Sequence, residues 1–506
     1  MRRSNPVPRA KPPNGAVLVP AGIGAVGLGV VAAEAPLVGL GLVGLAVLTM
    51  LPWGVQWVLL LFSSTVNRLG FDVAGATIRP SQVLLIPLAI RVFTMTRASL
   101  RPRWRLPEYT LIAFVGLQFA TSYLNAQSRK ESFFSAGLLM LGALAYFTTF
   151  ESVVTRKRLI FAARIVLLTS VLSAAAALLA LFAHSLFGTV FGVSGKSVPS
   201  AAGASAAVGL SQEHDILGSA SGAAAVMFFL LRRESNPILS RRWATAGFVV
   251  CFIAMVTSLT RAAWIGFAIA MLAAVIFHRP RIRAGDRTLE AAMTMLAVAL
   301  VGAGLFWLVR DLNTSSATTG YLGAIQGRSS DLLNISSGSG ANRVLVAQTA
   351  LQDWTRSPII GLGTNSYGQR HTILIGRAGA PGYIGDLYLR TLYDSGIVGL
   401  ALLLLFYGDL LWPRRFLKVS PGDLAPVARA FLFGMIVMAI GFAATDASFQ
   451  IWAWIVLGMV RASWRMAEDQ YLELTKPVRA PRRANGGRAL PLVPAPAGPA
   501  PRMLPS

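Results

Sequence analysis

Long apolar runs alternate with short basic segments along most of this chain. Runs near 20 residues are long enough to cross a bilayer as helices, and they recur between about residues 107 and 464. The ten predicted spans in this part of the chain cover residues 107–124, 133–151, 159–183, 215–231, 243–259, 262–277, 291–309, 386–411, 427–444 and 447–464. The pattern therefore predicts an all-α polytopic membrane helix bundle, because helices satisfy their own backbone hydrogen bonds in lipid.

The region before these spans is harder to divide. The apolar run 37–65 is interrupted by Pro52, which is compatible with one kinked helix or with two short ones. If the basic tail 1–16 is an uncleaved cytoplasmic segment, residues 17–96 must contribute an even number of spans. Two spans give about twelve in total and four give fourteen; we favour twelve.

Composition supports the membrane assignment and limits the chemistry. Of 506 residues, 54% are hydrophobic and 13% are charged, against roughly 25% charged in a typical soluble domain. The 46 Lys and Arg against 21 Asp and Glu give a net charge of +25. The basic clusters lie between alternate spans, which is typical of cytoplasmic loops and not of a nucleic-acid surface. The single cysteine, Cys251, excludes a disulfide framework, and no metal or cofactor motif is present.

One long polar segment, residues 310–384, is predicted to lie outside the membrane on the extracytoplasmic side. Its first part, 312–341, is rich in Ser, Gly, Thr and Asn and is predicted to be mobile. An amphipathic helix near 342–356 follows, with Val344, Ala347, Leu351 and Trp354 on one face. We expect this helix to lie against the outer membrane face. At the other end of the chain, the Pro/Ala/Arg-rich residues 465–506 are predicted to form a disordered cytoplasmic tail.

Three motifs carry a resemblance to a known family. They are SLTRAAW at 258–264, ANRVLVAQTALQDWTRSPIIGLGTNSY at 341–367, and GDLYLRTLYDSGIVGL at 385–400. In this order, and around a long outer loop, they resemble the O-antigen ligase and O-antigen polymerase superfamily. Each motif is loose alone, but their spacing and the order of spans from about 107 to 464 make the combination specific.

The resemblance implies a glycosyltransferase of cell-surface polysaccharide biosynthesis in the bacterial cytoplasmic (inner) membrane. Such enzymes take a glycan from an undecaprenyl pyrophosphate carrier on the extracytoplasmic face. They transfer it to a lipid-linked glycan (a polymerase) or to a lipid acceptor (a ligase). The family implies no cofactor and no metal, and its partners are these lipid-linked substrates and membrane lipids, not nucleic acid.

Two arginines are candidate ligands of the pyrophosphate. Arg261 lies at the outer tip of a short hairpin and Arg343 at the head of the amphipathic helix, and both match arginine positions of the family. The planar guanidinium group binds phosphate oxygens in pairs. A snorkelling arginine at Arg261 and a solvated helix charge at Arg343 are the simpler alternatives.

The candidate general base lies in the third motif, where this sequence departs from the family. The family histidine is replaced here by Gly385 and Asp386. Asp386 is the first candidate and His371 the second, and the missing histidine favours a polymerase over a ligase. Asp386, Arg390 and Asp394 are spaced to share one helix face, as site residues or as a structural ion pair. The remaining candidate is His214, which is flanked by acidic residues and is otherwise a helix cap.

Two other function classes stay open. Many-span helical proteins are often transporters, which commonly show internal repeats and broken helices at the midplane. A non-catalytic scaffold of a polysaccharide export complex is the second alternative, because the family histidine is absent.

Overall fold

The structure is a computed structural model. It describes residues 36–66, 70–73, 76–96, 104–187, 193–197, 205–211, 213–277, 338–371, 382–412 and 422–475. The predicted tail 1–16, the predicted span 291–309 and most of the segment predicted to be mobile, 312–341, lie outside these residues.

The described helices follow the predicted order. They are α1 (Pro36–Met50), α2 (Trp53–Thr65), α3 (Pro80–Thr96), α4 (Leu106–Leu124), α5 (Arg129–Ser152), α6 (Arg156–Phe187), α7 (His214–Arg233), α8 (Arg241–Thr257), α9 (Arg261–Phe277), α10 (Gly338–Trp354), α11 (Tyr367–Arg370), α12 (Leu387–Leu411), α13 (Ala425–Gly441) and α14 (Ile451–Thr475). Helices α1 and α3 begin at a proline, and α4 and α13 have one at their second residue, where the backbone N–H that proline lacks would have no intrahelical partner. The helical membrane fold is therefore confirmed.

Four described helices are long and apolar enough to cross a membrane: Arg129–Ser152, Arg156–His184, His214–Arg233 and Leu387–Leu411. The bent pair Val43–Met50 and Trp53–Thr65 counts as a fifth if it forms one span. Three shorter apolar helices accompany them: Pro80–Thr94, Arg261–Ala274 and Ala425–Gly441. The predicted total of about twelve spans stays a prediction, since it also counts shorter helices and one segment outside the described residues.

Pro52 separates two helices instead of kinking one. The helix axis changes direction by 120° between Val43–Met50 and Trp53–Thr65. The Arg91 guanidinium donates a hydrogen bond to the carbonyl oxygen of Leu51 at this bend. It thereby satisfies a carbonyl group that the broken helix leaves without an intrahelical partner.

Helix α7 lies at the centre of the bundle. It packs against α8, α9 and α13, while α12 packs on α4 and α14 packs on α5. Small residues such as Gly218, Ser219 and Gly222 are buried on α7, and small side chains let membrane helices approach closely. The first turns of α7, α9, α12 and α14 lie at the same end of the bundle as α10. This end is called the α10 end below.

Two short hairpins interrupt the predicted all-α pattern at loops. Strand β1 (Phe71–Val73) pairs with β2 (Ala76–Ile78), and β3 (Val193–Ser197) pairs with β4 (Ser205–Ala207), both antiparallel. The second pair lies in a segment predicted only as a polar loop. Ala207 packs with Ala177 of α6 and Leu217 of α7, and this burial against two helices gives β4 a fixed position.

The predicted start of the C-terminal tail at residue 465 was wrong. Helix α14 continues to Thr475. Arg465 explains part of the extension, because its guanidinium donates hydrogen bonds to the carbonyl oxygens of Phe150 (3.0 Å) and Val153 (3.1 Å). These carbonyls lie at the end of α5 and would otherwise lack helical partners.

Buried ion pairs join helices at the end of the bundle opposite α10. Glu108 in the first turn of α4 accepts hydrogen bonds from Arg461 (2.8 Å) and from the hydroxyl of Tyr146 (2.8 Å). Arg429 of α13 pairs with Glu234 at the end of α7. Each buried charge has a partner of opposite sign, as burial in a low-dielectric region requires.

Candidate functional site

A cluster of polar residues forms where α10 meets the first turn of α7. The Arg343 guanidinium lies 3.3 Å from Oδ2 of Asp215, and Nε2 of His214 lies 3.5 Å from Oδ1 of the same carboxylate. About half of the Arg343 side chain, 52%, is exposed. We call five residues the Arg343 cluster: Arg343, Asp215 and His214, together with Asp386 and Tyr383, which are described below. The cluster thus presents a guanidinium group fixed on one side and open to a ligand on the other.

Asp386 caps α12, where its carboxyl group is within electrostatic range of the Arg343 guanidinium. Its Oδ1 accepts hydrogen bonds from the backbone N–H groups of Tyr388 (2.8 Å) and Leu389 (3.0 Å). Burial raises the pKa of Asp386, although the two N–H groups and the positive charge of Arg343 oppose this shift. A carboxylate with a raised pKa is a stronger base than an ordinary aspartate. Asp386 therefore combines a fixed position with the basicity that a proton acceptor needs.

Tyr383 lies three residues before this cap. The Tyr383 side chain is 60% exposed, but its phenol interacts electrostatically with Glu213, Asp215 and Arg343; partial desolvation together with the two carboxylates raises its pKa. The hydroxyl therefore stays protonated at neutral pH and is available as a hydrogen-bond donor. Sequence reasoning missed this residue, since a single tyrosine in a polar segment carries no recognisable spacing.

Arg261 begins α9 next to the His214 end of α7. The preceding residue, Thr260, donates a hydrogen bond from its hydroxyl to the carbonyl oxygen of His214 (3.1 Å). The Arg261 side chain is half-buried. The structure therefore places Arg261 at the start of a helix that is bonded directly to the cluster containing Arg343.

His371 belongs to a different group of residues. Its Nε2 lies 2.6 Å from Oδ2 of Asp353, which also accepts a hydrogen bond from the Tyr393 hydroxyl (3.3 Å). Burial raises the pKa of Asp353, but the hydrogen bond and charge of His371, together with Arg356, lower it below the usual value overall. Asp353 thus stays ionised and holds the imidazole ring in place.

The two groups lie at opposite ends of α10. Arg343 and Asp353 are ten residues apart on this helix, which is about 15 Å along its axis. The structure therefore brings Arg343, His214 and Asp386 together and places His371 in a separate pair with Asp353.

Asp353 was missed because it lies outside the predicted apolar stripe of α10, on a face that packs against the rest of the protein. Leu351 of the predicted stripe is 43% exposed, whereas Ala350 and Asp353 are buried. Val346 and Ala350 pack on Tyr367 and Tyr393. This face of α10 therefore lies on α12 and on the segment that follows α10. Asp353 occurs one helical turn after Ala350 on this face, and that spacing is the signal that could have identified it.

Arg390 and Asp394 form a buried ion pair inside α12, as their spacing allows. The Arg390 Nε lies 3.3 Å from Oδ2 of Asp394, and the same guanidinium pairs with Asp446 and lies over the ring of Phe449. Oδ2 of Asp394 also accepts a hydrogen bond from the backbone N–H of Asn365 (2.9 Å). These contacts give both residues a role in joining α12 to the 361–365 loop and to the turn before α14.

The reason for this junction is a break in α12 at Gly396, where φ is +66°. The loop between α10 and α11 fills the break. The N–H groups of Leu362 and Gly363 donate to the carbonyls of Tyr393 and Asp394 (2.9 Å each), and that of Ile397 donates to Pro358 (2.9 Å). The backbone groups released by the break are therefore satisfied by the protein itself.

Gly361 and Gly396 are both required by this docking. A Cβ atom at Gly361 (φ +75°) would lie 2.4 Å from the backbone nitrogen of Ser395, and one at Gly396 would lie 2.2 Å from the carbonyl oxygen of Ile359. We expect Gly361→Ala and Gly396→Ala to lower the free energy of unfolding by at least about 1–3 kcal/mol, measured as thermal stability in detergent. Gly408→Ala on the same helix, where a Cβ meets nothing within 4 Å, is the control. Equal stability of all three variants would contradict the docking.

The described residues contain no group of three or more His, Cys, Asp or Glu side chains that could hold a metal ion. The side chains of the Arg343 cluster offer a guanidinium group for an anion, a carboxylate for a proton and a phenol for a hydrogen bond.

These features define a helical membrane protein with a polar site at one end of its bundle. Residues 246–404 match the family model described as O-Antigen ligase. The match confirms the resemblance and includes six of the seven candidate residues, leaving out only His214. No curated protein matches the sequence. The match over this part of the chain indicates a membrane enzyme of the O-antigen ligase or polymerase type.

Proposed function

We propose that the protein transfers a glycan from an undecaprenyl pyrophosphate carrier to a lipid-linked or lipid acceptor at the outer face of the bacterial cytoplasmic membrane. The observation that carries the proposal is the position of Arg343, which α10 holds against Asp215 and within electrostatic range of Asp386. An arginine and a basic carboxylate at one site suit a reaction that releases a pyrophosphate and removes a proton.

In the proposed reaction, the acceptor hydroxyl attacks the sugar carbon that is bonded to the pyrophosphate. The carbon–oxygen bond to the pyrophosphate breaks as the new glycosidic bond forms, and undecaprenyl pyrophosphate leaves. Arg343 and Arg261 stabilise the negative charge on the leaving group. The proton of the acceptor hydroxyl passes to Asp386, whose Oδ2 makes no hydrogen bond to the described residues.

A deletion strain tests this function through the chain-length profile of its surface glycan. Loss of polymer with single repeat units remaining indicates a polymerase, which we favour. Intact polymer that stays on its carrier indicates a ligase. A normal profile with normal surface attachment of the glycan would contradict both forms of the proposal.

The proposal requires the α10 end to face outward. Basic residues begin or end helices at the opposite end, including Arg156 and Lys157 of α6 and Arg241 and Arg242 of α8, and such clusters favour the cytoplasm. In intact cells, an impermeant thiol reagent should label Gln352→Cys on α10 and should not label Ser240→Cys before α8. The native Cys251 is buried and gives little background. The reverse labelling pattern would exclude an outer site.

A further inference from the structure

Two half-buried arginines, Arg91 of α3 and Arg158 of α6, lie together at the bend between α1 and α2. The Arg91 guanidinium donates a hydrogen bond to the carbonyl oxygen of Leu51. Cζ of Arg158 lies over the ring of Trp53, 5.1 Å from the ring centre. Leu51 and Trp53 are two residues apart, so both guanidinium groups reach the same bend. We call Arg91 and Arg158 the arginine pair.

The charges of the arginine pair are not neutralised by a carboxylate. The two guanidinium groups are close enough to repel each other, and no Asp or Glu in the described part of the chain pairs with either of them. Repulsion between like charges is stronger in partly desolvated surroundings than in water. An anion bound between the two groups would therefore be favoured.

Each guanidinium group uses only part of its hydrogen-bonding capacity. Nη1 of Arg91 donates to Leu51, which follows α1, and Nη1 of Arg158 donates to the carbonyl oxygen of Ser152 (3.0 Å), the last residue of α5. These bonds cap two helices and fix the position of both groups. The Nε and Nη2 atoms of the pair make no hydrogen bond to the described residues and are not enclosed by them. Their N–H donors are therefore available to a ligand.

The surface beside the arginine pair is apolar. On α2, Val55, Leu59 and Phe62 are exposed and recur at the spacing of one helix face. Helix α6 packs against α2 and exposes Leu168 and Leu172. In a membrane protein, an exposed apolar surface of this kind faces the acyl chains of lipids.

The arginine pair also lies at a depth where lipid headgroups are found. Arg158 follows Arg156 and Lys157 in the first turn of α6, at the end of the bundle opposite α10. A phospholipid placed here would have its phosphate at the arginines and its acyl chains beside the apolar surface. A free phosphate ion would match the charge of the pair and leave the apolar surface unused.

We propose that Arg91 and Arg158 bind the phosphate group of an anionic glycerophospholipid, whose acyl chains lie along the exposed apolar surface of α2 and α6. The guanidinium group is suited to this role because its planar donors bind phosphate oxygens in pairs. Basic sites between membrane helices are a known way of recognising lipid headgroups. The inference is independent of the reaction proposed above.

The test measures lipid binding to the purified full-length protein in detergent by native mass spectrometry. The protein is titrated with phosphatidylglycerol and, separately, with phosphatidylcholine that has the same acyl chains. One arginine near the membrane surface contributes roughly fivefold to the affinity for an anionic lipid, so the pair should give phosphatidylglycerol a preference of roughly 30-fold. Equal affinity for the two lipids would overturn the inference.

Substitutions then locate the preference. Arg91→Gln and Arg158→Gln should each weaken the binding of the first phosphatidylglycerol molecule roughly fivefold and leave the binding of phosphatidylcholine unchanged. Arg164→Gln is the matched control, because this exposed arginine of α6 carries the same charge and also donates to backbone carbonyl oxygens, those of Pro237 and Ile238. Wild-type affinity in both pair variants, or an equal loss in the Arg164 variant, would contradict the proposed site.

The Arg158→Lys variant covers the case in which the glutamine variants do not fold. Lysine keeps the charge and a donor for the Ser152 carbonyl, but it lacks the paired donors of a guanidinium group. The Arg158→Lys protein should therefore bind phosphatidylglycerol less tightly than the wild type and still prefer it to phosphatidylcholine. Wild-type affinity for phosphatidylglycerol in this variant would exclude paired binding of the phosphate by Arg158.

A final arm distinguishes a lipid from a soluble phosphate. Glycerol phosphate carries the same phosphate chemistry without acyl chains. Added at the concentration of the lipid, it should not displace phosphatidylglycerol from the wild-type protein. Displacement at equal concentration would show that the arginine pair binds a soluble phosphate, and it would overturn the assignment to a lipid.

Discussion

Alanine at Arg343 should reduce glycan transfer by on the order of 10²–10³-fold while the protein is produced and inserted normally. The reason is the loss of a fixed positive charge from the leaving pyrophosphate, whose negative charge grows as its bond breaks. Half of the Arg343 side chain is exposed and its hydrogen bond is to Asp215, so its removal should leave the packing of the bundle intact. The measurement is polymer formation in cells together with transfer by the purified protein.

The lysine variant separates charge from geometry. Arg343→Lys should restore only part of the activity, because an ammonium group lacks the planar paired donors of a guanidinium. Arg261→Ala should lose activity in the same way as Arg343→Ala. Arg129→Ala is the control: this exposed arginine begins α5 at the same end of the bundle and lies over the ring of Tyr123. Wild-type activity in both the Arg343 and Arg261 alanine variants would exclude the assignment of the pyrophosphate site.

Asparagine at Asp386 should lower transfer by roughly 10²–10⁴-fold, the usual effect of losing a general base. The variant should fold, because asparagine is as good a helix N-cap as aspartate and its side-chain oxygen can accept the same two N–H groups. In the wild-type protein, activity should fall as the pH drops through a value above the ordinary pKa of aspartate, since burial raises the pKa of this carboxyl group. Only the ionised form accepts the proton.

His371→Ala is the comparison that makes this result decisive. The Asp353–His371 pair is itself a plausible base, but it lies about 15 Å from Arg343 along α10. We therefore expect a smaller effect than for Asp386→Asn. The opposite ranking would move the base to His371 and leave Asp386 as a helix cap. Wild-type activity in both variants would show that neither residue is an essential base.

The sequence was sufficient to predict the helices but not their contacts. Apolar runs fix where helices form, so α4, α5 and α12 begin and end within a few residues of the predicted bounds. The continuation of α14 to Thr475 could not be read from hydropathy, because it depends on contacts of Arg465 with the distant end of α5. The hairpin of β3 and β4 depends in the same way on packing against α6 and α7.

The candidate site was likewise predicted only in part from the sequence. Arg261 and Arg343 are predicted from their match to family motifs, and Asp386 from its position where the family histidine is missing; in the structure the Asp386 carboxyl group is within electrostatic range of Arg343. Asp353 and Tyr383 were missed because their interactions are made in three dimensions with residues that are remote or carry no motif. Sequence spacing also could not show that the Asp394 carboxylate accepts a hydrogen bond from the backbone N–H of Asn365, since those residues are 29 positions apart.

The loop that fills the break in α12 has a length that cannot vary freely. The stretch from Pro358 to Asn365 is irregular, and irregular surface segments usually tolerate insertions and deletions. Here backbone groups of five of its residues bond to particular residues of α12, so a change of length by a single residue would misalign the remaining bonds; the five are Pro358, Ile359, Leu362, Gly363 and Asn365. Length variation is therefore confined to other parts of the outer segment, and this short stretch should be kept intact in any chimeric or loop-shortened form of the protein.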